Sequence, residues 1–553
     1  MKKLEKSVAT SSTKSNPKKK LPRSAPAIAV PTKEAVVQVS ERTWQIAAIS
    51  IFVVAAVLRL YDLGLVPLHH DEGVNGNFLV TLVREGHYHY DPANYHGPTL
   101  YYIAAVIPWI FKILFGTAAR ETYGLNTVVI RLVPALFALA TIALIFSLRR
   151  YLGTVAVLAA ALLIAISPGA VYLSRYFIHE TLFVFFTLGI VVAGLKFYPS
   201  RNPVYLLLAS ASAAMLFATK ETAMISAGVL ILALASTLIY QRLFGIRPSK
   251  TSHTEPFLDE FGGPVIFALW IGLAIVVFIA INVFFYSSFF ENYPQGVYDS
   301  LKTFQIWSKT GKAAHVHPPG TYFTWLMNQE SALLFLGGLG AIFVIFKPKN
   351  SFALFSAFWA FGLIAAYSLV PYKTPWLLLN FIVPLSLIAG FAIQRIYELE
   401  GGKLRLLLIV VGVAVLIGLY QTVDLNFVNY DNDKDYYVYV YAHTKRGLKQ
   451  MVNEIDNIAR QGPDGGRTGI TIVSSEYWPL PWYLRNYSRV GYFGHMTSST
   501  EPIIIASEDQ KNEVESTLGE LYKQVPSSEP GGAYSLRPGV NLLLYARRSN
   551  FRP

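Results

Sequence analysis

The sequence predicts an all-α polytopic membrane domain of about 11 spans followed by a small extracytoplasmic α/β domain. Three observations carry that expectation. Of 553 residues, 53% are hydrophobic and only 15% charged, whereas a soluble globular chain carries about 25% charge. A soluble chain of this length would divide into about three or four domains, each with a charged skin, and the charge for those skins is missing. Apolar runs of bilayer length recur from Trp44 to about residue 421, and beyond residue 422 the runs shorten to strand length. Fibrous, disordered and disulfide-scaffold classes fall with the soluble one. The chain has no cysteine, which removes disulfides, thiolate nucleophiles and cysteine metal sites.

Residues 1–42 form a Lys-, Ser- and Pro-rich tail carrying Lys2, Lys3, Lys6, Lys14, Lys18, Lys19, Lys20 and Arg23. Such a composition buries no core, so a disordered, basic, cytoplasmic tail is expected. The first apolar run, Trp44 to Leu63, is about the 20 residues a bilayer requires and lacks a small-residue cleavage site, as in an uncleaved signal anchor. Further runs lie at about 126–148, 152–173, 181–198, 203–218, 222–241, 264–288, 331–347, 351–370, 375–395 and 404–421. Thr99–Phe115 is ambiguous, and positive charge arbitrates, because short cytoplasmic loops collect Lys and Arg. With 99–115 lying along the outer surface as an interfacial helix, the cytoplasmic connections hold Arg149 and Arg150, Lys196 and Arg201, Arg242, Arg247 and Lys250, Lys347 and Lys349, and Arg395, Lys403 and Arg405. Were it to cross, those basic loops would face outward. The membrane domain is therefore expected over 43–421 with external loops 64–125 and 289–330, the N-terminus inside and the 422–553 domain outside. The net charge of +13 then records topology in a cell-membrane protein, with no nucleic-acid partner. In the C-terminal domain, strands are expected at Tyr436–Tyr441, Ile470–Val473, Ile503–Ala506 and Asn541–Tyr545, with helices at 445–460 and 511–524. No GxGxxG or Walker signature marks a nucleotide site.

The residues able to carry chemistry gather on the external side. His69-His70-Asp71-Glu72-Gly73 follows the first span, and adjacent carboxylates near lipid are expensive unless they face water or a partner. A carboxylate there could act as general base on an acceptor hydroxyl or hold a divalent cation; an ordinary solvated loop is the plainer alternative. Tyr95-His96-Gly97-Pro98 reads as a turn at the mouth of the helix at 99–115. Two external turns, Ser174-Arg175 through His179-Glu180-Thr181 and Thr219-Lys220-Glu221-Thr222, pair a cation with an acid, and Tyr372-Lys373-Thr374-Pro375-Trp376 has the cation alone. Glu180 and Glu221 at helix starts would offset the macrodipole by about 0.3–1 kcal/mol each, which by itself could explain them. Arg175, Lys220 and Lys373 run against the positive-inside bias and could grip a phosphate at headgroup depth, or snorkel to lipid headgroups. His315 and His317 could share one face of an extended segment and bind a metal, although spacing identifies no third ligand. Tyr477-Trp478-Pro479-Leu480-Pro481-Trp482 could stack on sugars, but reads first as the domain's own core or its seat on the membrane.

Collected in order, the acidic pair after the first span, the His-Gly-Pro turn, the Arg…Glu turn, the Lys-Glu-Thr turn and the Lys-Thr-Pro-Trp segment resemble the membrane glycosyltransferases of the C-type fold. The likeness is to the branch holding protein O-mannosyltransferases and lipid A aminoarabinose transferases, over roughly residues 44–400. The His-His-Asp-Glu-Gly start, Lys-Glu-Thr and Trp-Pro-Leu-Pro-Trp look like the archaeal and bacterial flippase-activity-associated family. The resemblance implies a polyprenyl-phosphate-linked sugar donor, bound from the outer leaflet and attacked with inversion by a glycan, lipid or protein acceptor. It implies Asp71 as catalytic carboxylate with Glu72 beside it, and Arg175, Lys220 and Lys373 on the leaving phosphate. His70, His96, Glu180, Glu221, His315 and His317 remain candidates for substrate or for a divalent metal; Glu180 stands where mannosyltransferases more often carry Asp. The alternative is a non-catalytic partner or translocator of lipid-linked sugars. That reading expects charges within the spans, where few occur, Arg59 and Arg131 both lying near span ends.

Overall fold

Every apolar run read above as a span is helical in the computed structural model, which describes residues 39–93, 96–245, 257–310, 315–399, 405–529 and 531–550. The basic tail, except for its last four residues, lies outside the described residues, as do Tyr95, Arg247, Lys250 and Lys403. Among the described residues, eight helices are long and apolar enough to cross a bilayer: α1 (Glu41–Leu60), Thr127–Phe146, Glu180–Ser200, Ala223–Leu243, Pro264–Tyr286, Ser351–Leu369, Pro375–Leu399 and Arg405–Val428. Two bent pairs add up to two more, Thr154–Ala165 with Pro168–Ser174 at 60° and Thr321–Gln329 with Ser331–Phe346 at 113°. Pro203–Phe217 is shorter. The chain is a multi-pass membrane protein.

Burial ranks the helices. Pro375–Leu399 is the hub, 94% buried between Ser331–Phe346, Thr154–Ala165 and Ser351–Leu369. Pro264–Tyr286 is the rim, presenting Val265, Leu269, Ile275 and Val276 outward, as a lipid-facing helix does because hydrocarbon solvates apolar side chains. The two bends meet. Pro168 cannot continue the ladder from Thr154–Ala165, and Ser167 caps the new helix by accepting from the Ala170 N–H. Glu330, at the other break, accepts from the Gly169 N–H and the Ser167 hydroxyl, both at 2.8 Å. The side chain at one break thus satisfies unpaired donors at the other, while Arg59 donates to the Ile164 and Ala165 carbonyls that the first break leaves open.

On the external side, α2 (His70–Glu85) packs against α3 (Thr99–Phe115). The buried face of α3 is Leu100, Tyr101, Ala104 and Ala105, while Ile110, Ile113, Leu114 and Phe115 are exposed. The C-terminal domain is a mixed sheet of β1 (Ile470–Ile472), β2 (Val490–Tyr492), β3 (Ile503–Ser507), β4 (Tyr522–Val525), β5 (Tyr534–Arg537) and β6 (Val540–Arg547), flanked by helices Gly447–Gln461 and Lys511–Leu518. The strand order is β2-β1-β3-β6-β4, with β5 on β6. β2, β1 and β3 run parallel, and β6 pairs antiparallel with its neighbours.

The strand expected at Tyr436–Tyr441 does not form; those residues are in turns. Val438, Tyr439 and Val440 are buried in the core of the membrane domain, with Tyr437 bonded to Asp424 and Tyr439 to Glu330. An aromatic run has β propensity only where a partner strand is available, and here the partner is a helix bundle. The Trp-Pro-Leu-Pro-Trp segment seats the domain, though on α2 rather than on lipid. A Cβ on Gly73 would fall 2.5 Å from Pro479, and one on Gly76 2.6 Å from the Trp482 ring. Glycines three apart share one helix face, so this bare strip is where the domain lies flat.

Candidate active site

The first turn of α2 is built by a reciprocal cap. His69 Nδ1 accepts the Asp71 N–H at 3.1 Å, and Glu72 reaches back to the His69 N–H at 3.1 Å. His69 Nε2 donates to the Tyr441 carbonyl at 3.1 Å. Consecutive helical residues point about 100° apart, so Asp71 and Glu72 diverge. Glu72 turns inward with its side chain 0% exposed, against 27% for Asp71. Arg131 grips Glu72 by Nε at 2.7 Å and Nη2 at 2.6 Å, and the Phe177 N–H adds a third bond at 2.8 Å. Arg131 also donates to the carbonyls of Leu63 and Val66. The acidic pair of the sequence is thus one accessible carboxylate and one buried structural one. Glu72 is not among the residues that line the space beside Asp71.

That space is a narrow recess lined by Asp71, Asn75, His96, Ile178, His179, Glu180 and Trp376. Four segments far apart in sequence meet there. The 96–98 turn docks on the 218–219 turn through the Gly97 N–H to the Thr219 carbonyl at 3.1 Å, so closely that a Cβ on Gly97 would fall 2.1 Å from the Ala218 carbonyl oxygen. This approach sets His96 Nδ1 2.8 Å from Glu221. Burial pushes the Glu221 carboxyl up, but the His96 imidazole and its hydrogen bond outweigh it, leaving the group below its usual range. Lys220 bonds to one oxygen of Glu180. Asn75, one turn after Asp71, is fixed at both ends, donating to the Phe177 carbonyl at 3.0 Å and accepting from Tyr101 at 2.9 Å.

His179 is fully buried, and its Nε2 lies 2.9 Å from the Gly97 carbonyl. A carbonyl only accepts, so Nε2 carries the proton. Burial, with His96 and Lys220 adding to it, holds the ring well below its ordinary pKa and hence neutral. Its Nδ1 and the second oxygen of Glu180 are both buried without a hydrogen-bond partner.

The cations are not gathered on one spot. Arg175 donates to the carbonyls of Leu58, Arg59, Tyr61 and Asp62 and stands 4.7 Å from the Phe427 ring. It caps the C-terminal end of α1, where a cation meets the negative end of the helix dipole, and its guanidinium is committed there. Lys373 donates to the carbonyls of Ser368 and Val370 and has no carboxylate partner among the described residues. Backbone bonds join 315–317 to 371–373: His317 N–H to the Pro371 carbonyl at 3.1 Å and Lys373 N–H to the His315 carbonyl at 3.0 Å. His315 Nδ1 lies 2.7 Å from the Tyr441 hydroxyl, and His317 packs on Trp325. His70 faces the C-terminal domain, 6.0 Å from the Trp478 ring and 3.5 Å from Arg537. Burial, then His69 and Arg537, press its imidazole below the ordinary value against the pull of Asp71. Among the described residues, no group of three or more His, Asp or Glu side chains is placed to hold a metal ion.

Of the expected residues, Asp71, His96 and Glu180 line the recess, with Glu221 and Lys220 directly behind. His179, Asn75 and Trp376 join them unanticipated. Asn75 was legible as the residue four after Asp71 on one helix face. His179 stood beside Glu180 in the same turn, and Trp376 closed the Lys373 segment.

Residues 103–247 match the family model described as dolichyl-phosphate-mannose-protein mannosyltransferase. The match includes the 174–181 and 219–222 turns and begins after Asp71. No curated protein matches the sequence. Among solved structures, ArnT from Cupriavidus metallidurans bound to undecaprenyl phosphate aligns at a TM-score of 0.63 and 14% identity over 93% of this chain and 100% of that one. The same protein in the apo state aligns at 0.58 and 14% identity, over 93% and 99%. The Archaeoglobus fulgidus oligosaccharyltransferase tethered with an acceptor peptide gives 0.49 and 15% identity, over 82% and 64%. The fold, including the small C-terminal sheet domain, is that of ArnT.

Proposed function

We propose that this chain, a membrane glycosyltransferase of the C-type superfamily, moves a sugar from a polyprenyl phosphate to an acceptor hydroxyl on the outer face of the cell membrane, with Asp71 as general base. The observation that carries this reading is the recess itself, where Asp71 is partly solvent-accessible and opposed by polar groups from three other segments. Asp71 takes the acceptor's hydroxyl proton as its oxygen attacks the anomeric carbon. The bond from that carbon to the phosphate oxygen breaks, and the lipid phosphate leaves with the electron pair, inverting the centre. Lys373, a buried cation without a carboxylate partner among the described residues, neutralises the leaving phosphate, whereas Lys220 is occupied by Glu180. Glu72 and Arg175 position the elements that carry Asp71 and do not touch substrate. The N-terminus is cytoplasmic and the 422–553 domain external, in keeping with the basic connections at Arg149, Arg150, Arg242 and Arg395.

The test is mass spectrometry of membrane lipids and surface glycans in cells whose only copy carries Asp71→Asn. Accumulated sugar-phosphopolyprenol with loss of one surface glycan is expected. An unchanged inventory, with the variant present in the membrane at normal level, would sink the assignment.

A further inference from the structure

We infer that His179 and Glu180 form the subsite that reads the donor's sugar, accepting hydrogen bonds from its hydroxyl or amine groups and so holding the sugar end of the donor, not its phosphate end, in the recess. The inference rests on the transferase reading above. His179 is 0% and Glu180 2% exposed, and each leaves one acceptor atom without a donor from the protein. Buried acceptors left unmet cost about 1–3 kcal/mol each, so the wall is complete only when something in the recess donates.

The chemistry of the two atoms specifies the occupant. Gly97 fixes the His179 tautomer with its lone pair at Nδ1, so protonation would remove the acceptor. Glu180 already has its counter-charge in Lys220 on the other oxygen, so the ligand need bring hydrogens rather than charge. An ionised phosphate brings charge without hydrogens, and its oxygens would face the carboxylates of Asp71 and Glu180. A sugar ring brings several donors, and Trp376 on the same recess offers an aromatic surface for its C–H face. The donor's sugar then lies against His179 and Glu180, with Asp71 on the same recess.

The experiment measures binding of the full chain in nanodiscs to bare undecaprenyl phosphate and to undecaprenyl phosphate bearing mannose, glucose or 4-amino-4-deoxyarabinose. The wild type is expected to bind at least one loaded lipid about tenfold more tightly than the bare lipid, as for about 1.4 kcal/mol of added hydrogen bonding. His179→Phe keeps the ring but loses the acceptor. It should erase that preference while leaving the bare-lipid Kd unchanged. His179→Gln, whose amide can donate to Gly97 and still present an oxygen, should restore part of it. Three results would overturn the inference: a preference surviving His179→Phe, a bare-lipid Kd that moves equally in both variants, or equal wild-type affinities for all four lipids, meaning that water alone fills the recess. Glycosyl transfer that depends on Asp71 but ignores His179 removes the sugar subsite and leaves the transferase reading standing. Transfer that ignores Asp71 removes that reading instead.

Discussion

Two regions built from adjacent residues of one helical turn treat charge in opposite ways. Behind the first turn of α2, Glu72, Arg131 and the Phe177 N–H close a fully bonded ionic knot in the protein interior. In front of it, Asp71, His179 and Glu180 border a recess, and His179 and Glu180 each keep one buried acceptor unmet. A satisfied buried network rigidifies, whereas an unsatisfied one waits for a partner. The difference teaches where to look for chemistry in this molecule: among the incompletely bonded groups, not the most heavily charged ones. Arg175, the cation of the Arg…Glu turn, and Arg131, near a span end, are both spent on backbone carbonyls or a carboxylate.

The contrast can be broken experimentally, starting with its largest consequence. Asp71→Asn should lower turnover about 10²–10⁴-fold, the usual contribution of a general base, while the thermal midpoint in detergent moves little, since the exchange removes only a first-turn charge. Glu72→Ala should do the reverse. It leaves Arg131 buried and unpaired, a loss of about 3–5 kcal/mol, read as a collapsed thermal midpoint and poor membrane yield. A Glu72→Ala protein that is stable but inactive would mean the two carboxylates share a catalytic role. Next in size, Gly76→Val drives a branched side chain into the Trp482 ring. An overpacked contact costs about 1–3 kcal/mol, and limited proteolysis should then release the C-terminal domain while the helices stay protected.

The smallest effect is a pH slope. His179 and His443 are both held neutral by burial, far below the ordinary histidine value. In the unfolded chain they titrate near 6.5, so below that pH the unfolded state binds protons that the folded state refuses. Stability is therefore full above about 6.5 and falls as the pH drops through it, by up to about 1.4 kcal/mol per pH unit for each histidine. Glu221, held below its usual range, adds a further loss at lower pH as it is protonated. His179→Phe should flatten the fall of thermal midpoint between pH 6.5 and 5 by one proton's worth, and an unchanged slope would place its titration elsewhere.

Much of this was legible from the chain, for physical reasons that also mark where legibility ends. Span positions followed from apolar length, because a bilayer admits few alternatives to a helix. β1, β3 and β6 were visible as apolar runs, but β2, β4 and β5 were not: Val490–Tyr492 buries no residue, Tyr522–Val525 overlaps the helix expected at 511–524, which ends at Leu518, and Tyr534–Arg537 is only alternately buried. Tyr436–Tyr441 misled because its burial is against helices that periodicity cannot reveal. In the site, Asp71, His96 and Glu180 stood out by residue type. The inward turn of Glu72 and the commitment of Arg175 to the end of α1 depend on contacts across 59 and more than 110 residues, which spacing does not encode.

The seating of the C-terminal domain carries a consequence for biosynthesis. The Tyr483 hydroxyl accepts from the Leu68 N–H across 415 residues, and the Tyr441 carbonyl holds His69 across 372. At ribosomal rates of roughly 5–20 residues per second, about 20–80 s separate the synthesis of Leu68 from that of Tyr483. During that interval the helix bearing Asp71 lacks its outer support. A nascent chain already threaded through the membrane therefore holds this helix by its contacts within the membrane domain alone until the C-terminal domain has folded over it.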